Sequence, residues 1–485
     1  MDNIILATDS YKLTHWRQYP PGTRTVYSYL ESREGAEFPE TVFFGLQAVL
    51  NQYLLDPVEP WMLVEAVNLG RAHFGADLVN EAGWRRVIGD HDGYLPLRIR
   101  AVPEGTPVPT GNVLMTVENT DPELPWLTNA VESLLTHVWY PSTVATLSRQ
   151  VKKDIAHWLE ATTGSTDGAD LMLQDFGYRG AATHDAAAIG GAAHLVNFLG
   201  SDTLPAMLFA QEHYGASFDG LAYSVPATEH SVMTARGRDG EADVVRQLLD
   251  AYPSGILSVV ADSYDIYRFV EKYVGETFKA PIMQRDGTFV VRPDSLTKHH
   301  WTPETLVLWI VQSLGGSFGY ETTPQGYRVL DPHVRVLWGD GIDREGVRAI
   351  LSTLAGAGWA ANNMVFGMGG GLLQKVNRDT QRFAFKCSAM EDADGWRDVQ
   401  KMPLDASKVS KAGRFQLSRF TDEHGDPHYD TLPLGTRVAM TADIRIGRHG
   451  DDRRSTESDV LEDVFLNGDL ERYQRFDDVR RRAAL

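Results

Sequence analysis

Cysteine is nearly absent: the 485-residue chain holds a single one, Cys387. One thiol excludes an internal disulfide and any cysteine-based zinc cluster. Set in an apolar run after Lys386, it reads as a buried core thiol rather than a nucleophile. No stretch of about 18 consecutive apolar residues occurs, so there is no candidate membrane span. The run Met1-Asp2-Asn3-Ile4-Ile5-Leu6-Ala7 lacks a basic segment followed by a long apolar one. No secretory signal is read there, and a cytoplasmic location is expected. A positive balance is missing too: the formal net charge of −19 opposes a nucleic-acid partner, since phosphate backbones are bound by basic faces. Low-complexity tracts and internal repeats are also lacking.

What is present is the composition of an ordinary soluble enzyme, 43% hydrophobic and 23% charged. Its length exceeds what one hydrophobic core supports, so two domains of unequal size are expected. Leu171–Leu173, Gly255–Val260, Thr288–Val291, Val334–Leu337 and Met364–Phe366 are short, β-rich and nearly all apolar, as strands covered on both faces are. Helix-like stretches lie between them, at Ala182–Asn197, Thr203–Tyr214, Asp239–Ala251, Ser263–Val274, Pro303–Leu314 and Arg344–Ala357. Such alternation predicts parallel strands, and seven or eight units fit a (β/α) barrel over residues 165–376. Elsewhere, Leu95–Pro103 and Gly111–Val117 read as antiparallel strands, Pro125–Ala161 as one long helix, and Phe383–Phe385 and the run around Thr436–Met440 as further strands. Residues 1–164 and 377–485 are expected to combine into one α+β domain flanking the barrel.

Chemistry-bearing residues follow nearly every predicted strand. The clusters are Asp175-Phe176-Gly177-Tyr178-Arg179-Gly180, Gly200-Ser201-Asp202-Thr203, Ser224-Val225-Pro226-Ala227-Thr228-Glu229-His230, Asp262-Ser263-Tyr264-Asp265, Arg292-Pro293-Asp294-Ser295, Gly339-Asp340-Gly341-Ile342-Asp343 and Gly367-Met368-Gly369-Gly370-Gly371. In a closed parallel barrel all seven meet at one rim, where strand C-termini carry the loops that do chemistry. The glycine run matches neither the P-loop nor the dinucleotide template and reads as a monophosphate cradle, with a plain tight turn as the alternative. Asp265 and Asp343 read as helix caps, whereas Asp294 and Asp340 stand beside other site-like residues and read as functional. Between Lys375 and Arg414, nine basic residues, Arg382 among them, face six acidic ones, a surplus of three in an otherwise acidic chain. That surplus suggests a local polyphosphate site, with a solvated loop as the alternative.

In one order along nearly the whole chain, these clusters, together with Asp9-Ser10-Tyr11-Lys12, Val26-Tyr27-Ser28-Tyr29, Val117-Glu118-Asn119-Thr120-Asp121-Pro122-Glu123 and Phe385-Lys386-Cys387-Ser388, resemble the nicotinamide phosphoribosyltransferases. The resemblance implies the irregular barrel of type II phosphoribosyltransferases and a homodimer with active sites at the subunit interface. It implies a nicotinamide ring stacked between Phe176 and Tyr11 of the partner subunit. Arg179, Asp202, Ser224, Val225, Ser258 and Arg292 would line that pocket, with Asp202 accepting from the carboxamide. Asp294, Gly339, Asp340, Gly369, Gly370 and Arg378 would hold the ribose 5-phosphate. Arg33, Lys386, Lys401 and Lys408 would meet pyrophosphate or ATP phosphates, with Arg33, Lys386 and Lys401 reaching across the dimer. His230 is similar to the family's phosphorylated histidine, and with Asp262 and Asp294 it makes up the candidate catalytic set. Gln174, Met368 and Leu296 depart from the familiar pattern.

The implied reaction joins nicotinamide to 5-phosphoribosyl pyrophosphate, giving nicotinamide mononucleotide and pyrophosphate, with Mg2+ accompanying the phosphates and ATP as coupled co-substrate. The residues leave a nicotinate-specific enzyme, a barrel aldolase or isomerase acting on a sugar phosphate, and a non-catalytic binding protein as rival readings. No barrel-strand lysine suited to the aldolase stands out.

Overall fold

A computed structural model describes residues 3–296, 302–404, 409–421, 427–436, 455–457 and 459–484. Two compact units divide the chain: Met1–Thr146, Glu212–Gly215 and Asn377–Ala484 form one, Leu147–Gln211 and Ala216–Val376 the other. The first division falls inside the helix Trp139–Thr163, earlier than the expected boundary at residue 164. A helix crosses such a boundary without any break in its hydrophobic pattern, so the sequence marks only the loop that follows it. Nor is Pro125–Ala161 one helix: Leu127–Ala130, Glu132–Thr136 and Trp139–Thr163 are separate. Pro141 gives a reason for the last break. Proline has no N–H to donate and is tolerated in a first turn, so a helix containing it begins just before it.

In the second unit six parallel strands lie in the order Gly200–Ser201, Leu173–Asp175, Met364–Met368, Val334–Trp338, Phe289–Arg292, Leu257–Val260. Helices such as His184–Leu195, Pro303–Phe318 and Arg344–Gly356 make the crossovers. The ring is completed by residues that form no strand. Tyr223 bridges Gly200, and Ala227 bridges Ser258, both in parallel sense. The main-chain N–H of Tyr223 donates to Leu199 O at 2.7 Å, and that of Ser258 to Pro226 O at 2.9 Å. All the strand C-termini therefore open on one rim, as the alternation of elements predicts.

The first unit is built on a seven-stranded antiparallel sheet, ordered Gly395–Asp398, Phe383–Asp392, Thr25–Ser32, Val113–Asn119, Leu97–Ala101, Glu462–Leu466, Asp469–Leu470. Its members come from both chain ends, as expected. The strand Thr25–Ser32 is buried on both faces, whereas Leu97–Ala101 alternates buried and half-buried residues. Deep in this unit the Glu104 carboxylate accepts from the main-chain N–H of Gly45 and of Gln47, both at 2.7 Å, and from the Tyr214 hydroxyl at 2.8 Å. Burial holds Glu104 above the ordinary carboxylate range, and these three donors oppose that shift. Through Tyr214 they fasten the short segment Glu212–Gly215 to this sheet domain. The expected strand around Thr436–Met440 lies, from residue 437 on, outside the described residues. Among the described residues no helix is long and apolar enough to cross a membrane.

Candidate active site

Phe176 directly follows the strand Leu173–Asp175, and its N–H donates to Met368 O on the neighbouring strand at 3.0 Å. One face of its ring carries the Arg292 guanidinium, 5.2 Å from the ring centroid. The strand Met364–Met368 comes so close that a Cβ at Gly367 would lie 2.1 Å from the ring, so only glycine fits there. Asp202 stands on the next loop, with its N–H donating to Asp175 O at 3.0 Å and its carboxylate accepting from the Ser224 hydroxyl. Phe176, Asp202, Ser224, Val225 and Ser258 line one cavity of about 560 Å³. It runs down the barrel axis past Val290, Leu337 and Val365 to Ser254, Gly255, Thr288 and Arg335 near the strand N-termini. Two polar atoms beside the ring, Ser258 Oγ and Arg292 Nε, are buried with no hydrogen-bond partner among the described residues. Arg179 is exposed on the rim loop Tyr178–Gly180.

Beneath this platform lies a carboxylate that motif reading passed over. Asp175 is fully buried, and its Oδ1 accepts from the Gly177 N–H at 2.7 Å. Burial, reinforced by the charge of Asp202, pushes it up to about 6 despite that hydrogen bond. The two-residue period was the available signal: in Leu173-Gln174-Asp175 the aspartate shares with Leu173 the buried face turned to the helix His184–Leu195, opposite Gln174. Because its folded pKa lies above the unfolded one, the stability it lends is complete below about pH 4 and is lost as pH rises through about 6. In Asp175→Asn the Tm relative to wild type is therefore expected to improve as pH goes from 5 to 7.5. The gain over that window is on the order of 1.5 kcal/mol, about half of the full effect, since each unit of pKa is worth about 1.4 kcal/mol. Thermal melts of both proteins across that range check this, and a pH-independent difference would contradict it.

His230 opens a short helix, His230–Met233, just after the ring-closing segment. Its Nε2 lies 3.4 Å from Asp294 Oδ2 and 4.0 Å from Asp262 Oδ1, and its Nδ1 lies 3.2 Å from Ser263 Oγ. Asp294 also meets Arg292 at 3.2 Å, and Asp262 accepts from the Ser295 hydroxyl. The candidate catalytic set is thus contiguous with the aromatic platform through Arg292. Asp340 follows the strand Val334–Trp338, and burial together with the charges of Asp294 and Asp262 raises its pKa. Asp265 and Asp343 cap helices: Asp265 accepts from the N–H of Tyr267 and Arg268, and Asp343 from that of Gly346, all at 3.1 Å. Among the described residues no three His, Cys, Asp or Glu side chains are grouped to ligate a metal by themselves. Gly339, Gly369 and Gly370 reach the same rim, and a Cβ at Gly370 would meet nothing within 4 Å. The glycine run opens into a single helical turn, Gly370–Leu373, whose first two residues are themselves glycines.

In the first unit a second cavity of about 490 Å³ is lined by Arg33, Arg378, Arg382 and Lys386 together with Glu132, Thr136 and Asp379. Burial lowers the pKa of Lys386, and the charges of Arg33, Lys401 and Arg378 add to this while Glu132 opposes it. Glu132 is also paired with the buried Lys12 at 3.2 Å. Tyr11 is 57% exposed, and its ring meets His15 edge-on at 5.1 Å. Lys401 is exposed, and Lys408 lies outside the described residues. Cys387 is half-buried with its thiol pushed up to about 11 by burial, which leaves it a poor nucleophile at neutral pH.

The model of the nicotinate phosphoribosyltransferase family matches residues 171–432, and that of the nicotinamide phosphoribosyltransferase N-terminal domain matches residues 3–99. A nicotinamide phosphoribosyltransferase of Xanthomonas campestris is 44% identical over 487 aligned residues, covering 100% of this chain and 98% of the relative. The chain belongs to the nicotinamide phosphoribosyltransferase family. A further member, from Acinetobacter baylyi, is 31% identical over 99% of this chain and 97% of its own length. Among solved structures, human nicotinic acid phosphoribosyltransferase superposes with a TM-score of 0.62 at 15% identity, covering 99% of this chain and 93% of that one, a likeness of fold. Of the three residues expected to depart from the familiar pattern, Gln174 lines the axial cavity with its Nε2 donating to Leu171 O at 2.8 Å. Met368 is buried behind Phe176, and Leu296 is exposed.

Proposed function

We propose that the chain transfers the phosphoribosyl group of 5-phosphoribosyl pyrophosphate to the pyridine nitrogen of nicotinamide, releasing pyrophosphate and giving nicotinamide mononucleotide for NAD salvage. One observation carries this reading: Phe176, Arg292, Asp202 and Ser258 converge at the mouth of a mostly apolar barrel cavity, beside the His230, Asp262 and Asp294 group. A flat ring stacks on Phe176 there, while the carboxamide N–H donates to Asp202 and its oxygen accepts from Ser258 or Arg292. The pyridine nitrogen is an unprotonated lone pair near neutral pH, so no general base is needed. As the C–N bond forms and the bond to pyrophosphate breaks, the ring becomes a cation, which aromatic stacking favours.

The protein's work is then positioning and charge stabilisation. Asp294 and Asp340 hold the ribose, with Gly339, Gly369 and Gly370 making room for the 5-phosphate and Arg378 meeting it. Arg33, Lys386 and Lys401, with Lys408, meet the pyrophosphate, reaching it from a second subunit of a homodimer. The other face of the ring is covered by Tyr11 of the partner subunit. Magnesium accompanying the polyphosphate would be held by the rim carboxylates Asp262, Asp294 and Asp340 and would supply charge neutralisation on the leaving group. ATP couples through His230, whose imidazole takes the γ-phosphoryl group as ADP leaves.

The decisive assay gives the enzyme nicotinamide and nicotinate together with 5-phosphoribosyl pyrophosphate and magnesium, with and without ATP, and identifies products by mass. Nicotinamide mononucleotide should dominate, at higher yield with ATP. Predominant nicotinate mononucleotide would transfer the assignment to the acid-specific enzyme, and no turnover would leave a binding protein.

A further inference from the structure

Three described residues other than glycine have positive φ: Asp92, Asn467 and Arg382, the last at 49°. Aspartate and asparagine tolerate the left-handed region, whereas a long side chain such as arginine pays a steric penalty there. Such strain persists only where surrounding contacts enforce it, and it clusters at working sites. The main chain of Arg382 is enforced from three sides. Its N–H donates to Asp379 O at 3.2 Å, its carbonyl accepts from the Arg33 N–H at 3.4 Å, and the following N–H, of Phe383, donates to Arg378 O at 3.1 Å. This one residue joins the loop bearing Arg378 to the strand bearing Lys386 and pins both to Arg33.

Its side chain lines the same basic cavity. There its Nη1 donates to Glu34 O at 2.8 Å, and among the described residues no carboxylate stands within ion-pair distance of it. Its neighbours differ, since Arg378 pairs with Asp379 at 3.3 Å and Arg33 approaches Glu31 at 3.6 Å. Gly35 makes room for this guanidinium: a Cβ there would lie 2.7 Å from Nη1. A half-buried cation bound to a single carbonyl keeps most of its donors for an anion.

We propose that Arg382 is a further polyphosphate-binding residue, its guanidinium meeting the diphosphate end of 5-phosphoribosyl pyrophosphate and the pyrophosphate that leaves. This rests on the reading of the basic cavity given under Proposed function. The test measures the Tm, the KM for both substrates and product inhibition by inorganic pyrophosphate for full-length Arg382→Asn, Arg382→Lys and Lys386→Ala. Asparagine suits the left-handed backbone, so Arg382→Asn should melt no lower than wild type. Its KM for 5-phosphoribosyl pyrophosphate and its inhibition constant for pyrophosphate should each rise about tenfold, the cost of a lost charge-assisted hydrogen bond, with the KM for nicotinamide unchanged. Arg382→Lys, which keeps the charge, should recover part of the loss. If Lys386→Ala weakens pyrophosphate while neither Arg382 variant does, the inference is overturned and the cavity reading stands. If none of the three variants does, the cavity is no phosphate site and both readings fall.

Discussion

In Asp202→Asn the preference for nicotinamide over nicotinate is expected to fall by about a thousandfold. In the wild type a carboxylate placed about 4 Å from Asp202 is repelled by roughly 4 kcal/mol at an effective dielectric near 20. The neutral amide of nicotinamide escapes this repulsion and gains a hydrogen bond to a charged acceptor, worth about 1.5–3 kcal/mol. Replacement by asparagine removes the repulsion and weakens that bond, so kcat/KM for nicotinamide should drop about tenfold or more while that for nicotinate rises. The Ser224 hydroxyl, which donates to Asp202, keeps the group oriented, so the effect should come from charge rather than from a rearranged loop. Competition of the two pyridines in one reaction measures the ratio directly. An unaltered ratio, or efficient use of nicotinate by the wild type, would remove Asp202 as the discriminating group.

His230→Ala is expected to bring ATP stimulation of product yield close to none. The imidazole meets Asp294 and Asp262 through Nε2 and Ser263 through Nδ1, so on the proposed reading it accepts a phosphoryl group by giving up one of these contacts. A phosphoryl group there places negative charge beside two carboxylates, a destabilised arrangement that is relieved when the group departs. This is the physical requirement for coupling hydrolysis to synthesis. Product yield with and without ATP, together with acid-labile phosphate retained from labelled ATP, gives the result for both proteins. Undiminished stimulation in the variant would show that the coupling runs elsewhere.

The strand-end clusters were legible because parallel strands buried on both faces read as apolar runs, and the residue just past such a run must lie at the rim. Phe176, Asp202, Asp262, Asp294 and Asp340 fall there for that reason alone. Asp265 and Asp343 were separable as caps by their place at helix starts. Closure of the ring at Tyr223–Thr228 was not legible as a strand, because Pro226 has no N–H for a ladder and the pairing is limited to isolated bridges. Asp175 hid inside a motif quoted for its aromatic and basic members, although its place on the strand face packed against the helices was readable. The role of Arg382 depends on a backbone angle, which no side-chain pattern encodes. Interruption of the long helical tract was marked by Pro141 only at its last break, and the stop near Val131 has no comparable marker.

The segment that completes the ring also supplies Ser224 and Val225 to the cavity wall, and it is joined to its neighbours by isolated bridges rather than a continuous ladder. On the proposed reading, ring recognition falls at the seam of the scaffold. Exchanges of side chain along a seam disturb little of the surrounding weave, so a fold of this kind can alter which heterocycle it accepts while its load-carrying fabric stays the same.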